Sequence, residues 1–371
     1  MRIGIPAEIK SGEFRVGLVP ASVQDLCAAG HDVVVQTGAG APIGFSDADY
    51  AAAGARVVAS AAEAWAAELV VKVKEPQAAE FGFLRQDQVL FTYLHLAPDL
   101  RQAEALQRAG CVAIAYETVT DRDGQLPLLA PMSAVAGRMA VQVGAHFLEK
   151  THGGRGILLG GVPGVAPGRV TVLGTGTVAA HAVRMAVGLG AEVTVIGRTP
   201  KRLDALDREY HGRIRTLIAG MTAIEESVRR ADLVIGAVLQ PGGPAPKLID
   251  RALLKTMQRG AVIVDVAIDQ GGCCETSHPT THADPVFVEE GVLHYCVANM
   301  PGAVPLTSTL ALGNATLPYL RALAGKGWKQ ALRDDPGLAA GLNVCAGQIT
   351  HRAVAEALRK NFTSAGGFFA A

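Results

Sequence analysis

The chain has 371 residues, which at roughly 150 residues per domain predicts two domains. Lys+Arg and Asp+Glu both total 34, so the formal charge is zero, and a basic nucleic-acid footprint or an acidic tail is excluded. Apolar residues make up 49% of the chain, ample for sizeable cores, yet no uncharged apolar run approaches the ~18 residues that cross a bilayer.

In chain order, residues 2–6 read as the first strand of a fold rather than a signal peptide, which needs a longer apolar core. Further strands are expected at 32–36, 69–73, 88–93 and 111–115, with helical patterns starting after Pro20, Asp47 and Asp99. Asp47 and Asp99 are expected as N-caps, since a carboxylate accepts the orphan N–H groups of a first turn. Residues 130–150 form one long helical run (Met132, Val135, Met139, Val143, Phe147) that reads as a hinge between domains. The Gly/Pro-rich segment 153–168 follows as ordered turns, because it is richer in Val and Leu than in Ser.

A second series of strands is expected at 170–173, 192–196, 233–237, 261–265 and 293–297, and after Pro305 the pattern is helical to the end, near 308–325 and 346–360. The fold class is therefore α/β with two doubly wound parallel-sheet domains. The second, 129–306, is a Rossmann dinucleotide-binding domain inserted into the first, which spans 1–128 plus 307–371. The six cysteines (Cys27, Cys111, Cys273, Cys274, Cys296, Cys345) form no C-x-x-C pair and read as reduced thiols of a cytoplasmic protein.

The nucleotide site lies at Gly174-Thr175-Gly176-Thr177-Val178-Ala179, between an apolar strand and a helical pattern, with another strand from Glu192. Gly174 permits a tight turn, Gly176 lets backbone approach a pyrophosphate, and Ala179 lets helix and strand pack closely. The helix N-terminus offers N–H groups and partial positive charge to the phosphates. An NAD site usually places an acid at the end of the next strand, on the ribose hydroxyls. Here Gly197 stands in that place, and Arg198 with Lys201 or Arg202 can pair with a 2′-phosphate, so NADP(H) is favoured over NAD(H). Thr199 is placed to cap the helix that Pro200 opens.

Four polar residues sit where a half-apolar chain would not place them casually. Lys74 follows Leu69-Val70-Val71-Lys72-Val73, His95 follows Leu90-Phe91-Thr92-Tyr93-Leu94, and Asp269 follows an apolar run broken only by Asp265. These are strand C-terminal ends, where open α/β sheets gather ligands, and Arg15 lies in the loop after the first strand. His278 and His282 are four apart, but Pro279 between them favours a loop and no ligand set accompanies them, so no metal is expected. Ser133 lacks the surroundings of a nucleophile, Asp265 reads as structural, and Trp65 and Trp328 as packing residues.

The motifs Phe14-Arg15-Val16, Val73-Lys74-Glu75-Pro76, Tyr93-Leu94-His95-Leu96-Ala97 and Pro131-Met132-Ser133-Ala134-Val135-Ala136-Gly137-Arg138 stand in this order along the chain. Gly160-Gly161-Val162-Pro163-Gly164-Val165, Asp269-Gln270-Gly271-Gly272-Cys273 and Ala298-Asn299-Met300-Pro301 complete the set. With them the chain resembles the L-alanine dehydrogenases over essentially its whole length. The resemblance implies reversible oxidation of L-alanine with water to pyruvate and ammonium, in a homohexamer. Arg15 and Lys74 would hold the substrate carboxylate, Arg15 through its planar fork. His95 would be the acid/base at the carbinolamine oxygen, and Asp269 would orient water or ammonia and stabilise the iminium.

For the cofactor, the resemblance carries over to Ser133, Thr177, Val178, Arg202, Val238, Leu239, Val266, Ala267, Ile268, Asp269, Val297, Ala298, Asn299 and Met300. Gly197 departs from the family's Asp, which accompanies NAD, and Ala134 and Ala219 replace more polar residues. The substrate would lie in a cleft, facing the nucleotide. Two other functions share this plan: the NAD(H)-binding subunit of a proton-translocating transhydrogenase, which needs no carboxylate clamp, and a dehydrogenase of a larger amino acid.

Overall fold

The computed structural model describes residues 1–240 and 243–369. They fall into two compact units, one of Met1–Met132 with the chain from Val304 onward, the other of Ser133–Ala303. The last two residues of the expected span 307–371 lie outside the described residues.

In the first unit the chain lays down β1 (Arg2–Ile5), β2 (Asp32–Gln36), β3 (Arg56–Val58), β4 (Leu69–Val71), β5 (Val89–Thr92) and β6 (Val112–Ala115). All pair in parallel, in the order β6-β5-β4-β1-β2-β3. Every residue of β4, β5 and β6 is buried, as expected of central parallel strands covered on both faces. Strand β3 lies outside the expected strands: its apolar β-branched run is only Val57-Val58, too short for a periodic signal.

Helix Ala130–Phe147 carries the chain from one unit into the other. The second unit contains β7 (Arg169–Leu173), β8 (Glu192–Gly197), β9 (Arg215–Ile218), β10 (Leu233–Gly236), β11 (Val262–Asp265), β12 (Val286–Glu289) and β13 (Val292–Tyr295). Their order is β12-β13-β11-β10-β7-β8-β9, parallel except for β12, which runs antiparallel to β13 and closes one edge. Helix Thr177–Gly188 follows β7, and helix Pro200–Tyr210 follows β8. Within this unit, helix Ala130–Phe147 meets the start of Thr177–Gly188 at Gly137, where a Cβ would stand 2.2 Å from the Val178 carbonyl oxygen.

The C-terminal region differs from the all-helical expectation. Helix Pro305–Lys326 is followed by two short helices and then a hairpin, β14 (Leu342–Cys345) and β15 (Gln348–Ile349). Strand β14 pairs antiparallel with β6, so the first sheet has eight strands and a mixed edge. The hairpin turns at Ala346 and Gly347, both with positive φ, and a helix resumes only at Arg352–Leu358. The two sheets are thus parallel in their centres and antiparallel at one edge each.

One cap is also corrected. Ser46, not Asp47, is the N-cap of helix Asp47–Ala52, in a capping box with Asp49. Asp47 instead accepts from Thr37 Oγ1 and from the Gly38 amide at 2.8 Å, tying the preceding loop to the helix. Asp99 caps helix Leu100–Ala109 as expected, accepting from the Gln102 amide. Thr199 occupies its N-cap position but makes no side-chain cap bond.

Candidate active site

In a doubly wound sheet, ligands collect where successive connections leave a strand in opposite directions. In the first sheet that point lies between β1, which continues to β2, and β4 on its other side. The loops after these strands carry Arg15 and Lys74, and the loop after β5 carries His95.

Arg15 is only 2% exposed. Its Nε and Nη2 donate to the two carboxylate oxygens of Glu13, each at 2.6 Å, and Nη1 lies 3.0 Å from Met132 Sδ. The planar fork expected to grip a substrate thus grips Glu13, with Nη1 against Met132. Lys74 is 8% exposed, and no carboxylate of the described residues lies within ion-pair reach of its ammonium. Burial, and then the charges of Arg15 and Lys10, hold its pKa below the ordinary lysine value. A buried, unpaired ammonium beside a guanidinium is a ready site for a small anion.

Two carboxylates that no sequence pattern singles out hold this site. Glu8 Oε1 accepts from the Val73 amide at 2.6 Å and the Lys74 amide at 3.3 Å. Its Oε2 lies 3.1 Å from Lys72 Nζ, which also donates to Glu80 at 2.9 Å, a fully buried ion triad on β4's exit. Burial raises the Glu8 pKa, while Lys72 opposes that shift. Glu117 accepts from the His95 amide at 2.7 Å and from the Leu94 amide. It thereby holds His95 at φ 47, in the left-handed region that a histidine seldom occupies. The exposed His95 ring stacks on Tyr93, centroids 6.2 Å apart, and Tyr93 donates to the Leu128 carbonyl. Thr92 Oγ1 donates to the Lys74 carbonyl, joining the exits of β4 and β5.

In the second sheet the connections diverge between β7 and β10. Gly174 follows β7 with φ 124, and a Cβ there would lie 2.3 Å from the Ala237 carbonyl oxygen, so both conformation and space demand glycine. Helix Thr177–Gly188 opens at Gly176 with no capping side chain, and a Cβ on Gly176 would meet nothing within 4 Å. Uncapped amides at Thr177 and Val178 beside open space fit a pyrophosphate.

The other expected cofactor residues share this sheet edge. Val238 and Leu239 follow β10, and Leu239 is exposed. Val266, Ala267, Ile268 and Asp269 form a 3-10 turn after β11, with Asp269 exposed. Val297, Ala298, Asn299 and Met300 follow β13, with Asn299 at φ 62 and its carbonyl 3.1 Å from His282 Nε2. Ser133 lies in the first turn of helix Ala130–Phe147, half-buried. Asp265 is structural: its buried carboxylate accepts from the amides of Ala267, Cys273 and Cys274 and from Ser277 Oγ at 2.6 Å. That anchors the loop carrying Asp269. His278 stacks on Phe287 with centroids 3.8 Å apart.

Gly197 ends β8, buried, and is followed by exposed Arg198 and, on the next helix, exposed Lys201 and Arg202. None of the three has an ion-pair partner among the described residues, while Asp204 is paired with Arg208 at 2.9 Å.

A Gly-rich turn opening an uncapped helix at the divergence point of a parallel sheet defines a dinucleotide-binding Rossmann domain, here with an α/β partner domain that offers an anion site. More particularly, the chain belongs to the alanine dehydrogenase/PNT family. The models of that family's N-terminal and C-terminal domains match residues 4–136 and 140–352. The chain is 60% identical to an alanine dehydrogenase of Halomonas elongata over 98% of this chain and 99% of that one. A solved L-alanine dehydrogenase superposes with a TM-score of 0.94 at 54% identity, over 97% of this chain and 99% of the other. A transhydrogenase from Sinorhizobium meliloti is more distant, with a TM-score of 0.81 at 25% identity, over 95% and 100% of the two chains.

Proposed function

We propose that this chain catalyses the reversible oxidative deamination of L-alanine to pyruvate and ammonium, and that it prefers NADP(H) to NAD(H). The observation that carries the first part is the buried, unpaired Lys74 ammonium beside Arg15, in a chain 60% identical to an alanine dehydrogenase. A carboxylate entering there supplies the charge that Lys74 lacks, with the Arg15 guanidinium adding positive potential beside it. A clamp of this kind has no use in a transhydrogenase subunit, which carries no amino acid.

With the carboxylate fixed, His95 takes a proton from the water that adds to the iminium carbon and passes it to the carbinolamine nitrogen; it then takes the hydroxyl proton as the carbonyl forms and ammonia leaves. Asp269 orients water or ammonia and stabilises the cationic iminium carbon. The amides at Thr177 and Val178 bind pyrophosphate, and the loops after β10, β11 and β13 hold the nicotinamide half. The dinucleotide, when bound, accepts the hydride from the substrate Cα, so the chain's own contribution is alignment and electrostatics.

The NADP preference rests on three unpaired cations at Arg198, Lys201 and Arg202 and on the absent acid at Gly197. Initial rates with L-alanine against each dinucleotide, followed as reduced nicotinamide absorbance, test both parts. No turnover of alanine defeats the first, and a lower KM for NAD than for NADP defeats the second. To the same reading belong a homohexamer in the cytoplasm, supported by the family resemblance and the exposed Leu158, Val162 and Val165. Light scattering of the purified chain that shows a monomer removes the assembly.

A further inference from the structure

We propose that Thr175 is a second determinant of dinucleotide choice, because its methyl group fills the volume that an acidic residue at position 197 needs. The inference deepens the NADP reading and rests on Gly197 standing at the ribose site.

Strands β7 and β8 are paired in register, Leu173 opposite Ile196, and the Gly174 amide donates to the Ile196 carbonyl at 2.8 Å. The next residue on each side is therefore also a neighbour. A Cβ built on Gly197 would lie 2.3 Å from Thr175 Cγ2, 3.4 Å from Thr175 Cβ and 3.3 Å from Leu203 Cδ2. The first separation is far below carbon–carbon contact, at roughly 3.5–4.0 Å. Because the Thr175 Cβ itself is so near, turning χ1 to put Oγ1 in the methyl's place keeps the overlap. Only the rotamer presenting Hβ relieves it, and a β-branched side chain gives up its preferred χ1 at a cost.

A side chain at position 197 is thus accepted only at the cost of turning Thr175 out of the observed rotamer, whatever that side chain's charge. Losing the acid, unpairing three cations and filling the gap with a methyl all point the same way, towards a ribose bearing a 2′-phosphate. Reversal of the preference then needs two changes. Gly197→Asp alone repels the phosphate without placing its carboxylate on the 2′-hydroxyl. Thr175→Ala opens the space.

Dissociation constants for NADP and NAD, together with thermal midpoints, are measured for the wild type, Gly197→Asp, Thr175→Ala and the double variant. The expected pattern is a Gly197→Asp protein that binds NADP at least about tenfold more weakly with less than about threefold gain for NAD. The double variant gains NAD affinity about tenfold over that single variant and recovers part of its lost thermal midpoint, a non-additive cycle between neighbours. A single variant that binds NAD as tightly as the double one overturns the role of Thr175 and leaves the NADP reading standing. A double variant no more stable than the single one also overturns it. A wild type that binds NAD more tightly than NADP overturns the NADP reading itself, and this inference with it.

Discussion

The carboxylate-binding role proposed for Lys74 comes with a stability cost. The residue's folded pKa lies below the unfolded one, so between the two values the unfolded chain holds more protons. The ionised lysine therefore weakens the fold at neutral pH, and that penalty fades as pH rises through the folded pKa. We predict that Lys74→Met raises the thermal midpoint at pH 7 while lowering kcat/KM for alanine at least about 100-fold, read by calorimetry and initial rates. A midpoint that falls shows that the ammonium is paired in solution. The same shift predicts that KM for alanine rises at alkaline pH, with its break below the ~10.4 of an ordinary lysine. His95 depends on Glu117 for its backbone conformation, a left-handed residue costing about 1–3 kcal/mol that the carboxylate offsets. His95→Ala is expected to lower kcat by about 10²–10⁴. Glu117→Ala should lower kcat more than it raises KM, with Glu117→Gln recovering part of the loss; equal effects on both constants argue against positioning.

Loops that present the proposed site residues are held here by buried carboxylates rather than by regular structure. Asp265 satisfies three amides and a hydroxyl between residues 266 and 277, so Asp265→Ala strands buried N–H groups. The expected cost is about 3 kcal/mol or more, with a larger rise in the dinucleotide KM than in that of alanine, measured by denaturation and steady-state kinetics. Glu8 plays the same part after β4, with Lys72 and Glu80 completing a triad whose members have no water to turn to. Removing one partner leaves a buried uncompensated charge, and Glu8→Ala is expected to cost about 3–5 kcal/mol in urea unfolding. Replacing Lys72 alone by Met is expected to be as damaging, because two carboxylates then face each other without their cation.

For the molecule as a whole, a ligand that binds only the folded state stabilises it by mass action, by about 2.7 kcal/mol at a hundredfold excess over Kd. At equal concentrations NADP should raise the thermal midpoint more than NAD, a comparison that needs no turnover. The strands with long apolar runs and the Gly174–Ala179 turn were legible in the sequence, because parallel strands buried on both faces and glycine-dependent turns leave local signatures. The positions of Lys74, His95 and Asp269 just past β4, β5 and β11 follow from the apolar runs they end. The hairpin Leu342–Ile349 was not legible, since an edge strand of four residues and one of two carry too little period to separate from helix. Nor were Ser46 as the cap beside Asp47, the Glu13 grip on Arg15, Glu117 beneath His95, or Thr175 against Gly197. The last two pairings depend on strand order and register, which set residues side by side across the sheet with no trace in the chain around either one; the first two are local, settled by which of several neighbouring polar groups the turn geometry brings into reach. Sequence alone decided which chemistry the chain can carry; the folded arrangement decided which groups are already engaged, and therefore which remain for a ligand.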